Sequence, residues 1–141
     1  MKNHLFTVCL LLGLAGCAAS PMNVEGVNQS LTPNLISSSE PHRDNKVLWG
    51  GMIISTRPGQ NATRIEVLAY PLSGQQPDRY ATPQGRFMLD KAGYLEPAEF
   101  ATGRWISVVG IVKGIQPGKV GEASYDLSLI HISEPTRLRR I

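Results

Sequence analysis

The residue best placed for covalent chemistry is Cys17, which follows Leu14-Ala15-Gly16. Its thiol can be alkylated by a diacylglyceryl group to give a thioether. Small residues at Ala15 and Gly16 let the chain enter a signal peptidase in extended form. Cleavage before Cys17 then frees an amine that can take a further acyl chain. This four-residue pattern is a lipobox, and the segment before it has the matching order. Met1-Lys2-Asn3-His4 is short and basic, and Leu5 to Leu14 is almost wholly apolar. These are the charged and apolar regions of an export signal. The apolar run is too short to cross a membrane as a helix, which takes roughly 20 residues. An export signal over residues 1–16 and a lipid on Cys17 are therefore expected. Each buried methylene adds about 0.8 kcal/mol of membrane affinity, and a single chain holds only marginally. Two or three chains on Cys17 would hold the protein on the membrane. Aspartate after the cysteine goes with retention in the inner membrane. Ala18 at that place favours the outer membrane, with the protein facing the periplasm.

Other chemistry finds little material. Cys9 leaves with the signal, so no thiol remains for a disulfide, a zinc site or a nucleophile. Of the three histidines, His4 is cleaved and His131 lies in a doubtful tail. His42 sits in a polar, proline-flanked stretch and reads as solvated; a metal site normally needs three or four ligands. No cofactor and no metal are expected, and no catalytic residue is assigned. Glu96 and Glu99 would share one face of a helical turn, but no nucleophile or proton relay stands nearby in sequence. Ser55 and Ser107 fall in strands without a histidine partner. Gly114-Ile115-Gln116-Pro117-Gly118-Lys119 lacks the spacing of a phosphate loop and reads as a hairpin turn. Asn61-Ala62-Thr63 fits a glycosylation pattern, but behind a bacterial export signal it reads as a turn. Trp49 and Trp105 could stack on a ligand; packing in or against a small core is the simpler role for such large rings.

The segment Leu127-Ser128-Leu129-Ile130-His131-Ile132-Ser133-Glu134-Pro135-Thr136-Arg137 resembles the translation of a transposase adapter used in preparing DNA libraries. Residues 127–141 are accordingly read as a non-native tail, with the natural C-terminus missing. Between Cys17 and Asp126 there are ten basic and ten acidic side chains, a net charge of zero. The formal +3 of the whole chain comes from Lys2 and the tail. A nucleic-acid reader carries a basic footprint; this segment does not, and no nucleic-acid partner is expected.

The elements that would carry these residues start late. Residues 17–45 read as a lipidated N-terminus and flexible tether, dominated by turn formers such as Thr32-Pro33-Asn34 and Ser37-Ser38-Ser39-Glu40-Pro41. As a free chain its 28 residues after Cys17 would span roughly 30 Å, although Leu31, Leu35 and Ile36 could dock. Residues 46–126 form one domain, near the lower size limit for a single core. Val47 to Thr56 is apolar on both faces, as in a central or barrel strand, with a bulge or bend expected at Gly50-Gly51. Arg64 to Tyr70 alternates, with Ile65, Val67 and Ala69 on one side. Gly85 to Asp90 is a third strand. Leu95 to Phe100 is expected to make one helical turn. Arg104 to Lys113 is a fourth strand, and Ile115 to Lys119 turns toward a fifth. This order predicts an all-β fold, a small OB-like Greek-key barrel of about five strands with one short helical turn. Its closing strand would not be native. The resulting open edge invites aggregation, and Leu127, Leu129 and Ile132 would fill the gap poorly.

Several pieces of this domain resemble one family. They are Val47-Leu48-Trp49-Gly50-Gly51, Asn61 to Val67, Tyr70-Pro71-Leu72, Gly85-Arg86-Phe87, Gly93 to Pro97, Gly103-Arg104-Trp105 and Gly118 to Ala123. Together with the lipobox they are similar to the Slp family of outer-membrane lipoproteins, known for induction on carbon starvation. The resemblance implies an outer-membrane, stress-linked role and supplies neither a reaction nor a ligand site. Two functions follow. One is a non-enzymatic lipoprotein that binds an unknown envelope protein partner or braces the outer membrane. The alternative is a periplasmic small-molecule or saccharide-binding module. Tyr70, Tyr94 and Trp105 exposed together in an apolar groove would favour the second, and their burial would remove its basis. A hydrolase comes third, since it would need a carboxylate-only mechanism with one raised pKa.

Overall fold

The computed structural model describes residues 21–132 and 138–141. The export signal and Cys17 lie outside the described residues. Eight strands follow in order. They are β1 (Lys46–Pro58), β2 (Ala62–Ala69), β3 (Leu72–Ser73), β4 (Gln76–Pro77), β5 (Arg86–Ala92), β6 (Trp105–Val120), β7 (Ala123–Ile132) and β8 (Leu138–Arg140). The main sheet runs β1-β2-β5-β7-β6-β8, and β1 also pairs with β6, so that its first five strands close into a barrel with β8 added on β6. All neighbours are antiparallel except β5 and β7, which are parallel. The fold is all-β, and the closed five-stranded barrel has the Greek-key order expected.

Alternation fills the interior. On β1, Val47, Trp49 and Ile53 point inward; on β2, Ile65, Val67 and Ala69 do so; on β5, Phe87 and Leu89. Phe87 is fully buried, with its ring centroid 5.3 Å from that of Trp49. The paired glycines of β1 are there for clearance. A Cβ on Gly51 would lie 1.9 Å from the Leu68 carbonyl oxygen, and one on Gly50 would lie 2.8 Å from that of Ile106. The bulge expected at these glycines falls later, between Ile53 and Ser55, where the β1–β2 register shifts.

Two further expectations are corrected. The segment Leu95 to Phe100 is a hydrogen-bonded turn, with Phe100 N–H donating to Glu96 O at 3.1 Å, and not a helix. The one short helical turn among the described residues is 3-10, at Pro33–Leu35. The hairpin turn expected at Ile115 to Lys119 is strand. β6 runs on to Val120 and turns at Gly121, which has φ +60°. It continues because a register shift between Val112 and Gly114 absorbs the extra residue. Beyond Ile111 the strand pairs with β7 and has left β1. Pro117 therefore sits on a ribbon with a free edge, where its missing N–H costs nothing.

The largest difference concerns residues 22–45. These were expected to be tether, yet they form a strap laid on the barrel. Met22, Leu31, Pro33 and Ile36 are buried, while Leu35 remains exposed. The reason is chemical as well as apolar. The Trp49 indole N–H points out of the core and donates to Leu31 O at 2.8 Å. Asp44 N–H and Val112 N–H then extend the sheet into the strap, donating to Val112 O and Asn45 O. Burying an apolar side chain of this size is worth about 1.5–3 kcal/mol, and the strap's hydrogen bonds to Trp49, Gln75 and β6 add to those contacts in holding it down.

Residues 127–132 occupy β7. Leu127, Ile130 and Ile132 are buried, and Ser128 Oγ donates to Pro33 O at 2.9 Å. Leu129, expected to point inward, is half-buried, and Ile130 takes the central position. The segment fills the interior better than the expectation allowed.

Candidate functional site

The strap bridges a concave face of the barrel and leaves a cavity of about 570 Å³ beneath it. A volume of a few hundred Å³ is typical of small-molecule sites. Val24, Val27 and Leu31 form its strap side, and Leu48, Tyr70 and Leu72 its barrel side. Polar groups reach it from Gln29, Thr32, Gln75 and Gln84. Among the described residues no carboxylate, ammonium, guanidinium or imidazole lines it. A charged ligand would be stripped of water there without a countercharge, so the lining suits an uncharged one.

Gln75 builds the rim. It sits at the tip of the β3–β4 hairpin, and its carboxamide grips the backbone of Met22 at both ends. Met22 N–H donates to Oε1 at 2.8 Å, and Nε2 donates to Met22 O at 3.0 Å. The Gln75 carbonyl accepts from the buried Ser107 hydroxyl at 2.6 Å. That bond ties the hairpin to β6 and gives Ser107 a structural task. Gln29 and Gln84 differ: among the described residues neither carboxamide makes a side-chain hydrogen bond, so both are available to a ligand.

Next to the cavity an aromatic cluster covers the wall. Tyr70 and Trp105 meet edge to face at 4.9 Å. The Arg79 guanidinium lies 5.1 Å above the Trp105 ring. Tyr80, beside it, is fully exposed.

Of the sequence candidates, Tyr70 and Trp105 come together, both half-buried. Tyr94 does not join them. It is 66% exposed elsewhere, and its hydroxyl donates to Glu96 Oε2 at 2.9 Å. That hydrogen bond, more than burial or charge, holds the Tyr94 hydroxyl above the ordinary tyrosine range. Trp49 packs in the core, and its N–H is spent on Leu31. Glu96 and Glu99 are exposed, and Glu99 lies 3.9 Å from Arg140. His42 is partly exposed, 3.8 Å from Glu40. Two other carboxylates, Asp90 and Glu66, pair across strands of the sheet. Arg64 clasps Asp90 through two hydrogen bonds of 2.7 Å, which hold its pKa above the usual arginine value. Arg86 meets Glu66 at 3.1 Å. Among the described residues no group of three histidine, cysteine or carboxylate side chains is placed to hold a metal. Sequence reasoning missed Gln75 and the buried Thr63. The Thr63 hydroxyl donates to Gly93 O and accepts from Leu95 N–H, both at 2.9 Å. Neither residue has a sequence signal, because each acts on backbone far away in the chain.

Comparison with known proteins assigns the fold to a family. Residues 14–137 match the outer membrane lipoprotein Slp family. The chain belongs to that family. Its members are outer-membrane lipoproteins, which places this chain at the outer membrane by a lipid anchor. Among curated relatives it is 28% identical over 126 residues to the uncharacterized lipoprotein YeaY of Escherichia coli K12, covering 86% of this chain and 65% of that one. It is 29% identical to the outer membrane protein Slp of the same organism, covering 80% and 62%. An uncharacterized protein of Haemophilus influenzae is 33% identical, with 92% and 72% covered. The chain thus spans a little under two thirds of the two Escherichia coli proteins. Among solved structures, a Schizosaccharomyces pombe Pot1pC complex with ssDNA covers 86% of the chain at 10% identity with a TM-score of 0.36, too low to carry an argument.

Proposed function

We propose that Cys17 carries the lipid, that residues 1–16 are removed on export, and that the barrel faces the periplasm and acts there by binding rather than by catalysis, in a stress-linked role. The observation that carries the reading is the neutral, strap-covered cavity of about 570 Å³, with its unspent carboxamides at Gln29 and Gln84. It is a place to hold something, and the side chains the sequence offered for catalysis have other tasks. The Ser107 hydroxyl is spent on Gln75, and Glu96 holds Tyr94. The partner on this reading is an envelope component, held beside the inner surface of the outer membrane. Protease treatment tests the orientation. The barrel in intact cells should resist protease and be digested once the outer membrane is breached; digestion in intact cells would refute a periplasmic face.

The cavity also favours a narrower reading, in which the ligand is a neutral saccharide or similar small molecule. Carboxamides match hydroxyl and acetamido groups, and Tyr70 offers a ring edge. Titration of the full chain with uncharged oligosaccharides should shift the Gln29, Gln84 and Tyr70 resonances. Spectra that stay unmoved at millimolar sugar would remove this reading and leave a protein partner.

A further inference from the structure

The strap changes where the barrel can stand. Pro21 is exposed, and directly after it Met22 is buried and gripped by Gln75. Four Cα steps separate Cys17 from Pro21, a reach of at most about 14 Å whatever the conformation. The headgroup layer alone takes up roughly 5–8 Å on each side of a bilayer. A barrel tied to Cys17 therefore stands within about one side-chain length of the headgroups. It is the hairpin end of the barrel that must come close, because Gln75 at the β3–β4 tip is what holds the anchored end.

The surface that follows this hairpin has the composition of a membrane–water interface. Tyr80 is fully exposed, an expensive place for a large ring in water. Arg79 is exposed and lies over Trp105, which is backed in turn by Tyr70. Tyrosine and tryptophan, with an apolar body and a polar end, settle at headgroup level, and an arginine there meets phosphate. We infer that this face, Arg79 and Tyr80 with the edge of Trp105, rests on the phospholipid headgroups of the membrane that holds Cys17. The barrel is then docked in one orientation rather than swinging on a leash, with the far end of β1 and β2, at Gln60, pointing away. β2 alone, at eight residues, separates the two ends by about 25 Å.

The inference rests on lipidation of Cys17, and the test separates the two. With Cys17 acylated the mature chain has no other thiol, so one introduced cysteine takes one label. Lipidated full-length Tyr80→Cys and Gln60→Cys proteins, each carrying a fluorophore, are inserted in vesicles of phosphatidylethanolamine and phosphatidylglycerol containing a headgroup-quencher lipid. Both sites are exposed, so neither change threatens the fold. The expected result is loss of most emission at position 80 and none at position 60. Proteins that float with the vesicles while both labels stay bright would overturn the docked face and leave the anchor standing. Quenching at 60 in place of 80 would overturn the orientation. Failure to float at all would bring down the anchor, and this inference with it.

Discussion

Trp49 joins the core to the strap through one atom. Its ring packs against Phe87 inside the barrel, while Nε1–H donates to the Leu31 carbonyl at 2.8 Å. Trp49→Phe keeps the apolar contact and leaves that carbonyl without its buried donor. The expected loss is about 1–3 kcal/mol, read as a lower urea midpoint; an unchanged midpoint would mean the strap is not held there. A second residue-scale test uses Tyr94. Its hydroxyl is held above the ordinary tyrosine range chiefly by donating to Glu96. A raised folded-state value means the contact helps the fold below the ordinary tyrosine pKa, and that help is lost as pH rises through the raised one. In Glu96→Gln the Tyr94 titration should fall toward that of a free tyrosine by NMR. A titration that does not move would assign the effect elsewhere.

At the scale of elements, period two was legible wherever a strand has one face in the barrel. Ile65, Val67 and Ala69 are buried as their alternation required, and so is Phe87 on β5. The strap was not legible, because its contacts follow no period. Met22, Leu31, Pro33 and Ile36 are spaced irregularly, and the forces that dock them come from Trp49 and Gln75. A local reading sees prolines and serines and returns a tether. The extension of β6 was hidden for a related reason: Pro117 and Gly118 look like a turn, and become strand once β7 supplies a partner on one edge. The cavity lies between the strap and the barrel, so it too could not be read from the sequence. Gly51 offers the sharpest element-scale test. A Cβ there would overlap the Leu68 carbonyl at 1.9 Å, so Gly51→Ala has to force β1 and β2 apart. It should cost several times the roughly 1 kcal/mol that a typical substitution does, seen as a large drop in the thermal midpoint. Near-native melting would contradict the close β1–β2 approach.

For the whole molecule, the packed strap replaces a roughly 30 Å leash with a reach of about 14 Å, and family membership now meets geometry. With Cys17 lipidated as proposed, an outer-membrane lipoprotein of this family would hold its barrel near the bilayer and act on what lies at that surface. Within the barrel, residues 128–132 supply every β7 residue that pairs with β5. The central claim remains the lipid on Cys17, and the mass of the mature protein's first residue tests it most directly. Purified from a Gram-negative envelope, the chain should begin at Cys17 and carry a diacylglyceryl thioether, and Cys17→Ser should lose the added mass and leave the membrane fraction. A mature chain that begins elsewhere, or that bears a free thiol at Cys17, would contradict the account.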